Sequence, residues 1–466
     1  MTTSAAGAPL PVGAPIPPSP AQPVPPGAGR RVRRALLAPF RYVYRRPARA
    51  TAYLALFLLL AAACTTGGVW WWFGHHLRAA RAELDRGHNA AAIRHLNRCS
   101  LIRPDDRTVL LLSARVARRA GAWDEAEFLL NRCLELHGED DDLVLERLLL
   151  RATRGEIEEV GPALLARIEV GGPDADPARE ALVSGLIYRF RWAGAARYLD
   201  EWLAAAPDTT TALLLRGKLE EQRLASGPAI ANYRRVVELD PEHDEARLRL
   251  AILLLGNRHG GEAIEHLAVL RKSLPDHPEV AVLWARALAL EGRAAESRAA
   301  LAACLANNPD YPPALTERGA QALTDGDEPE AERLLARAVA LDPGNVTTRS
   351  QYAFVLARTG KRDEAAREQA KVTALKADLE RITVLISGPL QERPNDPQVP
   401  FEIAQIALRS GQAREAIRWF TEALRIDSGH VPTHRALAAV YRELDKPVLA
   451  ARHRASAQQL APAPKP

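Results

Sequence analysis

LDPEHDEARLRLAILLLGNRHGGEAIEHLAVL (residues 239–270) decides how the rest of the chain is read. Ala263 is followed four places on by Leu267, and Pro275 comes eight residues later. The same triplet recurs as Ala92-Leu96-Pro104, Ala229-Tyr233-Pro241 and Ala331-Leu335-Pro343, while Ala416-Phe420 keeps the pair without its proline. Pro207, Pro241, Pro275, Pro309 and Pro343 follow one another at 34-residue steps, as do Gly87, Gly121 and Gly155, and then Gly292, Gly326 and Gly360. A fixed period of that length marks a stacked repeat, in which length adds units rather than separate cores. The composition is rich in Ala, Leu and Arg, with 5% aromatic residues, and favours helix throughout. Within a unit the small residue lets two helices approach, the large one fills the groove between units, and the proline ends the second helix.

These residues resemble the tetratricopeptide repeat family, whose 34-residue helix-turn-helix carries small, large-apolar and terminal-proline places. The segment 340–370, ALDPGNVTTRSQYAFVLARTGKRDEAAREQA, is similar to the family in the same way. The resemblance covers about residues 75–460 and implies an all-α fold: a right-handed solenoid of about ten to eleven helix pairs, residues 74–460, offering one long curved inner face and no catalytic pocket. It also implies that partner peptides or helices bind on the concave face made by the first helix of each pair. The residues expected there are Arg115, Arg119, Lys218, Arg249, Arg286, Phe354, Arg358, Gln405 and Arg409. Basic types predominate, so acidic or carboxylate-bearing segments are the expected ligands. The Lys/Asn/Arg set with which some relatives clamp a C-terminal carboxylate is not found.

The period fails in two places. Units at 141–206 fit poorly, with Gly185, Tyr188 and Trp192 out of alignment and one residue inserted before Pro207. Gly360 and Gly411 stand 51 residues apart, 17 more than one period, and the excess falls in residues 371–396. That insertion reads as a lengthened second helix with a bend near Gly388-Pro389, projecting from the solenoid or changing its curvature. The last unit ends in the polar ARHRASAQQ (451–459) before a short tail at 461–466, as a solubilising cap requires.

The net charge of +5 is unevenly placed. Eight arginines and no acid lie in residues 1–50, leaving −3 for the remaining 416, so the repeats carry no nucleic-acid footprint. Residues 1–28, with nine prolines, read as a disordered tail, and 29–49 as a basic juxtamembrane segment. From Ala50 to Phe73 no charged residue occurs, and the stretch closes on Trp70, Trp71, Trp72 and Phe73. Its 24 residues extend about 36 Å as a helix, enough for a hydrocarbon core of about 30 Å. The expectation is a single-pass transmembrane helix at 50–73 with its arginine-rich end cytoplasmic. In a bacterium this puts the repeats on the periplasmic side of the inner membrane. The alternative is a lipoprotein-type component of an envelope polysaccharide or secretion system, with Cys64 of Leu60-Ala61-Ala62-Ala63-Cys64 lipidated and the segment before it removed.

Chemistry-bearing clusters are few. Cys99, Cys133 and Cys304 occupy one repeat position, where Ala338 and Ala423 stand in other units, and read as small buried apolar residues. His75-His76 and His430/His434 read as surface histidines, and the run Asp140-Asp141-Asp142 as helix N-terminal charge. No HExxH, Walker loop, dinucleotide fingerprint or nucleophile elbow occurs, so neither cofactor, metal nor catalytic residue is expected. The expected function is a non-enzymatic, membrane-anchored scaffold or assembly factor for an unidentified protein partner, with no nucleic acid bound and self-association left open.

Overall fold

The computed structural model describes the backbone of residues 47–460, and side chains from residue 67 onward together with Ala55 and Leu59. The expected tails, 1–28 and 461–466, and most of the basic segment 29–49 lie outside the described residues. The chain forms two units, residues 1–75 and 76–466, and the repeats occupy the second. Every described element is a helix. The first, Pro47–Asp85, begins on a proline and covers the expected span. Among the described residues no helix is long and apolar enough to cross a membrane; most side chains of the expected span, 50–73, lie outside the described set.

In the regular repeats a helix of 13 residues is followed by one of 14, as in Asp244–Gly256 and Gly260–Ser273. The turn between them needs one residue with positive φ. Gly87, Gly121, Gly155, Gly292, Gly326, Gly360 and Gly411 supply it, with φ between 75° and 92°. Where the glycine series breaks, Phe190, Leu224, Arg258 and Asp445 take the same left-handed place at φ 54° to 64°. Together these make eleven turns, which fits the expected number of helix pairs. At the other junction some first helices start on a capping side chain: Asp106, Asp140 and Asn345 accept from backbone N–H groups of the opening turn at 2.9–3.4 Å.

The pairs read from the sequence form the core. Ala92 and Leu96, Ala229 and Tyr233, Ala263 and Leu267, Ala331 and Leu335, and Ala416 and Phe420 are all buried. Each large member contributes about 1.5–3 kcal/mol by leaving water. Cys99, Cys133 and Cys304 are buried, as their repeat position requires. The histidine reading needs correction. His76 and His434 are buried, and each shares a hydrogen bond with a histidine nineteen residues on: His76 with His95 (2.8 Å) and His434 with His453 (2.9 Å). Arg247–His266 and Arg349–Glu368 occupy the same pairing in other units. A first-helix side chain there meets its own second helix across the hairpin, so polar residues at this place pair instead of facing solvent.

The insertion forms helix Arg362–Ser387, which stops at Gly388 before the short helix Pro389–Glu392. Leu379 and Val384 are exposed on it, while Leu385 and Leu390 are buried against helices Gln398–Arg409 and Ala413–Ile426.

The irregular units at 141–206 bring successive first helices unusually close. Gly185, on helix Ala175–Tyr188, packs against the Ala152 carbonyl on helix Asp141–Thr153, where no Cβ would fit. Gly319, within one hairpin, meets only the flexible side chain of Leu335 on its own second helix. Distant repeats then meet. Phe190 stacks on Trp419 with ring centres 4.8 Å apart and planes 20° off parallel. Arg189 is buried and holds Glu158 (2.5 Å) and Glu422 (3.1 Å) at once. Arg191 donates to Asn395 at 3.1 Å. His88 likewise bridges Glu83 (2.7 Å) and the distant Asp240 (2.6 Å).

Candidate functional site: the enclosed inner face

The expected groove residues stand on first helices, and the structure shows what each touches. Arg115 donates to Glu146 at 2.6 Å, and Arg119 holds Glu180 through two N–H groups at 2.9 and 2.7 Å. Lys218 lies 2.6 Å from Glu245, Arg249 donates to Glu221 at 2.7 Å, and Arg286 stands 3.2 Å from Glu317. Arg358 pairs with Glu328, and Arg409 donates to Asp378 at 2.7 Å. Phe354 is exposed with the Arg358 guanidinium 6.0 Å from its ring centre, and Gln405 is exposed. Every cation of the set therefore has a carboxylate partner, and the inner face is a ladder of compensated pairs.

Three of the nine come together. Arg119, Lys218 and Arg249 line a half-open pocket of about 360 Å³, and the other six do not. A long curved face was expected; the contacts at Phe190–Trp419 and at His88–Asp240 also join repeats that are distant in sequence. The cavity is also lined by Arg118, Glu180, Glu245, His243, Arg418 and the aromatic rings of Trp123, Tyr188 and Phe190. Trp123 meets Tyr188 edge to face at 4.7 Å, and the Arg418 guanidinium lies 4.7 Å from the Tyr188 ring centre. Sequence reading missed these residues. Gly185 and Tyr188 marked the place only as a break in the period, and Arg418 arrives from a second helix more than 200 positions away.

The electrostatics inside are set by burial against charge. Burial opposes ionisation of Glu245, but Lys218 and then Arg249 outweigh it and hold the carboxyl at about 2. Glu180 is pushed up by burial and pulled further down by Arg119 and Arg118, so it also stays below the ordinary carboxylate range. His243 has its pKa lowered by burial and caps helix Asp244–Gly256 by accepting from Ala246 N–H at 3.3 Å. Burial lowers the pKa of Arg118, against the pull of Glu146 and Glu180, though an arginine stays protonated in a protein interior. Among the described residues no group of three or more His, Cys, Asp or Glu side chains is placed to hold a metal ion.

Models of the tetratricopeptide repeat family match residues 77–140 and 228–287. The chain is a tetratricopeptide repeat protein. Among solved structures, the repeat protein is similar to PilW, a widely conserved type IV pilus biogenesis factor, at 16% identity over 42% of this chain and 91% of that one, TM-score 0.37. It is similar to MamA at 20% identity over 38% and 96%, TM-score 0.30. It is also similar to a human IFIT1 dimer with m7Gppp-AAAA, at 14% identity over 77% and 91%, TM-score 0.40. Likenesses at these scores carry no argument about what the tetratricopeptide repeat protein binds. No curated protein matches it.

Proposed function

We propose that the chain is a membrane-anchored scaffold: residues 50–73 hold it in the inner membrane, and the repeats gather a protein partner on the periplasmic side with no turnover of their own. The observation that supports the reading is the set of first-helix side chains from Arg115 through Arg286 and Arg358 to Arg409, which stand at two repeat places about one helical turn apart. A partner segment bearing carboxylates binds there by exchanging with the acids already paired. At Arg286, Arg358 and Arg409 such exchange costs little, because ion pairs this exposed contribute only about 0–1 kcal/mol each, whereas the Glu146 carboxylate on Arg115 is buried and stays paired. Phe354 adds an apolar contact on the same face.

The test is affinity capture from detergent-solubilised membranes with the full-length chain as bait. A double variant, Arg286→Ala with Arg358→Ala, should weaken capture and flatten its salt dependence. Deletion of 371–396 reports whether the insertion adds to the contact. Unchanged capture and salt dependence in the double variant would remove the groove. Release of the full chain from membranes by alkaline carbonate would remove the anchor.

A further inference from the structure

We propose that the last hairpin, Val431–Glu443 with Pro447–Leu460, is a docking seat for an acidic helix of a partner protein. The argument starts from the hairpin before it. There Phe401, Ala404, Leu408, Phe420 and Ala423 pack together with Leu437 and Val440 of the last hairpin, so one unit's face is covered by the next. One period on, the same five places hold Arg435, Ala438, Arg442, Arg454 and Ala457. The alanines that let helices approach are kept, and all three large apolar residues have become arginine. Arg454 takes the place that Leu96, Tyr233, Leu267, Leu335 and Phe420 fill in other units, where each is buried. Together with Ala439 these residues line an open groove of about 320 Å³, and no described acid lines it.

Charge names the occupant. Arg435, Arg442 and Arg454 are exposed, and among the described residues none of them forms an ion pair or a side-chain hydrogen bond. The first-helix cations Arg115, Arg249, Arg286, Arg358 and Arg409 are all paired with acids. Glu443 and Asp445 are the only acids of the hairpin, against five Arg and Lys, and neither lines the groove. A cap that serves solubility needs polarity, whereas one sign of charge around a floor of alanines selects an anionic surface with a narrow apolar stripe. Arg435 and Arg442 are seven residues apart, so they leave one helix face about 10 Å from each other, the spacing of glutamates seven apart on a facing helix. Their guanidinium forks suit carboxylates. Two copies seated end to end would set cationic groove against cationic groove, and the tail 461–466, APAPKP, carries a lysine and no acidic side chain. The seat is separate from the first-helix ladder, and the inference does not depend on the scaffold reading.

The experiment uses the full-length chain in detergent and an alanine-based helical peptide of about 20 residues, with glutamates seven apart on one face and a benzophenone photo-crosslinker between them. Mass spectrometry after irradiation should place crosslinks on the last hairpin, with a yield there that saturates at about 100 µM peptide or below. Arg435→Gln, Arg442→Gln and Arg454→Gln together should weaken this binding at least about tenfold, and so should glutamine for glutamate in the peptide. The same loss of charge by Arg298→Gln, Arg333→Gln and Arg337→Gln, at arginines already paired with acids, should stay within about twofold of wild type. Circular dichroism melts check folding; if the groove triple variant does not fold, Arg442→Gln alone should weaken binding about threefold and carries the test. Crosslinks confined to other segments, the first-helix ladder included, would overturn the proposal. So would a groove variant within about twofold of wild type, or an equal loss in the control variant. Tighter groove-dependent binding of a single-stranded oligonucleotide, self-association that the groove variant abolishes, or about tenfold tighter peptide binding on deletion of 461–466 would give the seat to another occupant and overturn it as well.

Discussion

Gly185→Ala isolates the contact that tightens the stack. A methyl at Gly185 would stand 3.0 Å from the carbonyl carbon of Ala152 and closer still to its oxygen, with Ile157 Cδ1 at 3.1 Å. The obstacle is backbone, so no rotamer change relieves it, and helices Asp141–Thr153 and Ala175–Tyr188 must part by about 1 Å in a closely packed interior. Overpacking of this kind costs about 1–3 kcal/mol, and an unyielding neighbour puts it at the upper end. Replacing a helical glycine by alanine returns about 1 kcal/mol, so the net loss should be about 2 kcal/mol. Gly161→Ala is the matched control. Gly161 also lies inside a helix, Ile157–Val170, but a Cβ there would meet only Ile157 Cγ2 at an ordinary 3.6 Å, so that variant should be neutral or more stable. Urea unfolding of the full chain measures both, and amide exchange at Phe190 and Arg191 reports whether the closure against Trp419 loosens. A Gly185→Ala protein within about 0.5 kcal/mol of wild type, or indistinguishable from Gly161→Ala, would refute the idea that this approach sets the curvature.

Three further outcomes are expected. Leu224 is exposed and holds φ at 59°, so Leu224→Gly should raise stability by about 0.5–1 kcal/mol in urea unfolding, and a loss would show that its side chain makes a contact that matters. His88 is pulled down by burial and raised further by Glu83 and Asp240, so its pair is fully present below 6.5 and is lost as pH rises through its elevated value. His243, held neutral by burial, acts oppositely and removes stability as pH falls through 6.5. His88→Gln should therefore lose more stability than wild type between about pH 8 and about pH 5.5, and parallel urea midpoints would contradict it. Cys99, Cys133 and Cys304 are buried with thiol pKa values pushed up, so maleimide should label them only after denaturation; rapid native labelling would mean the repeats open.

The fold was largely legible because its signals are local. Each glycine of the 34-residue series marks a turn that needs φ above zero; counting back from Gly292 lands on Arg258 and Leu224, and counting on from Gly411 lands on Asp445, whose residue types give no such hint. The 17 extra residues after Gly360 became the long helix Arg362–Ser387 ending at Gly388, as the proline after it required. The histidines were misread because neighbours in sequence were compared, whereas the hairpin joins positions nineteen apart. Closure was not legible at all. His88 and Asp240 are 152 residues apart and Arg189 and Glu422 are 233, so their meeting depends on small rotations summed over several hairpins. The close approach at Gly185 enters that sum once and shifts everything after it.

The inner-face cations show the same division more sharply. Their positions follow from the repeat, but their partners come from the neighbouring unit: Lys218 with Glu245, 27 residues on; Arg249 with Glu221, 28 back; Arg115 with Glu146 and Arg286 with Glu317, 31 on. A repeat is 34 residues, so each acid lies about one or two helical turns short of the equivalent place, where adjacent first helices run side by side with a stagger. Composition counts such arginines as free charge, and the stagger neutralises them. Arg118 follows Arg115 by three residues and shares Glu146 with it, its Nε standing 3.6 Å from the carboxylate oxygen that Arg115 does not hold. Glu180, 3.9 Å away and already held by the fork of Arg119, completes the neutralisation of a guanidinium that is itself buried.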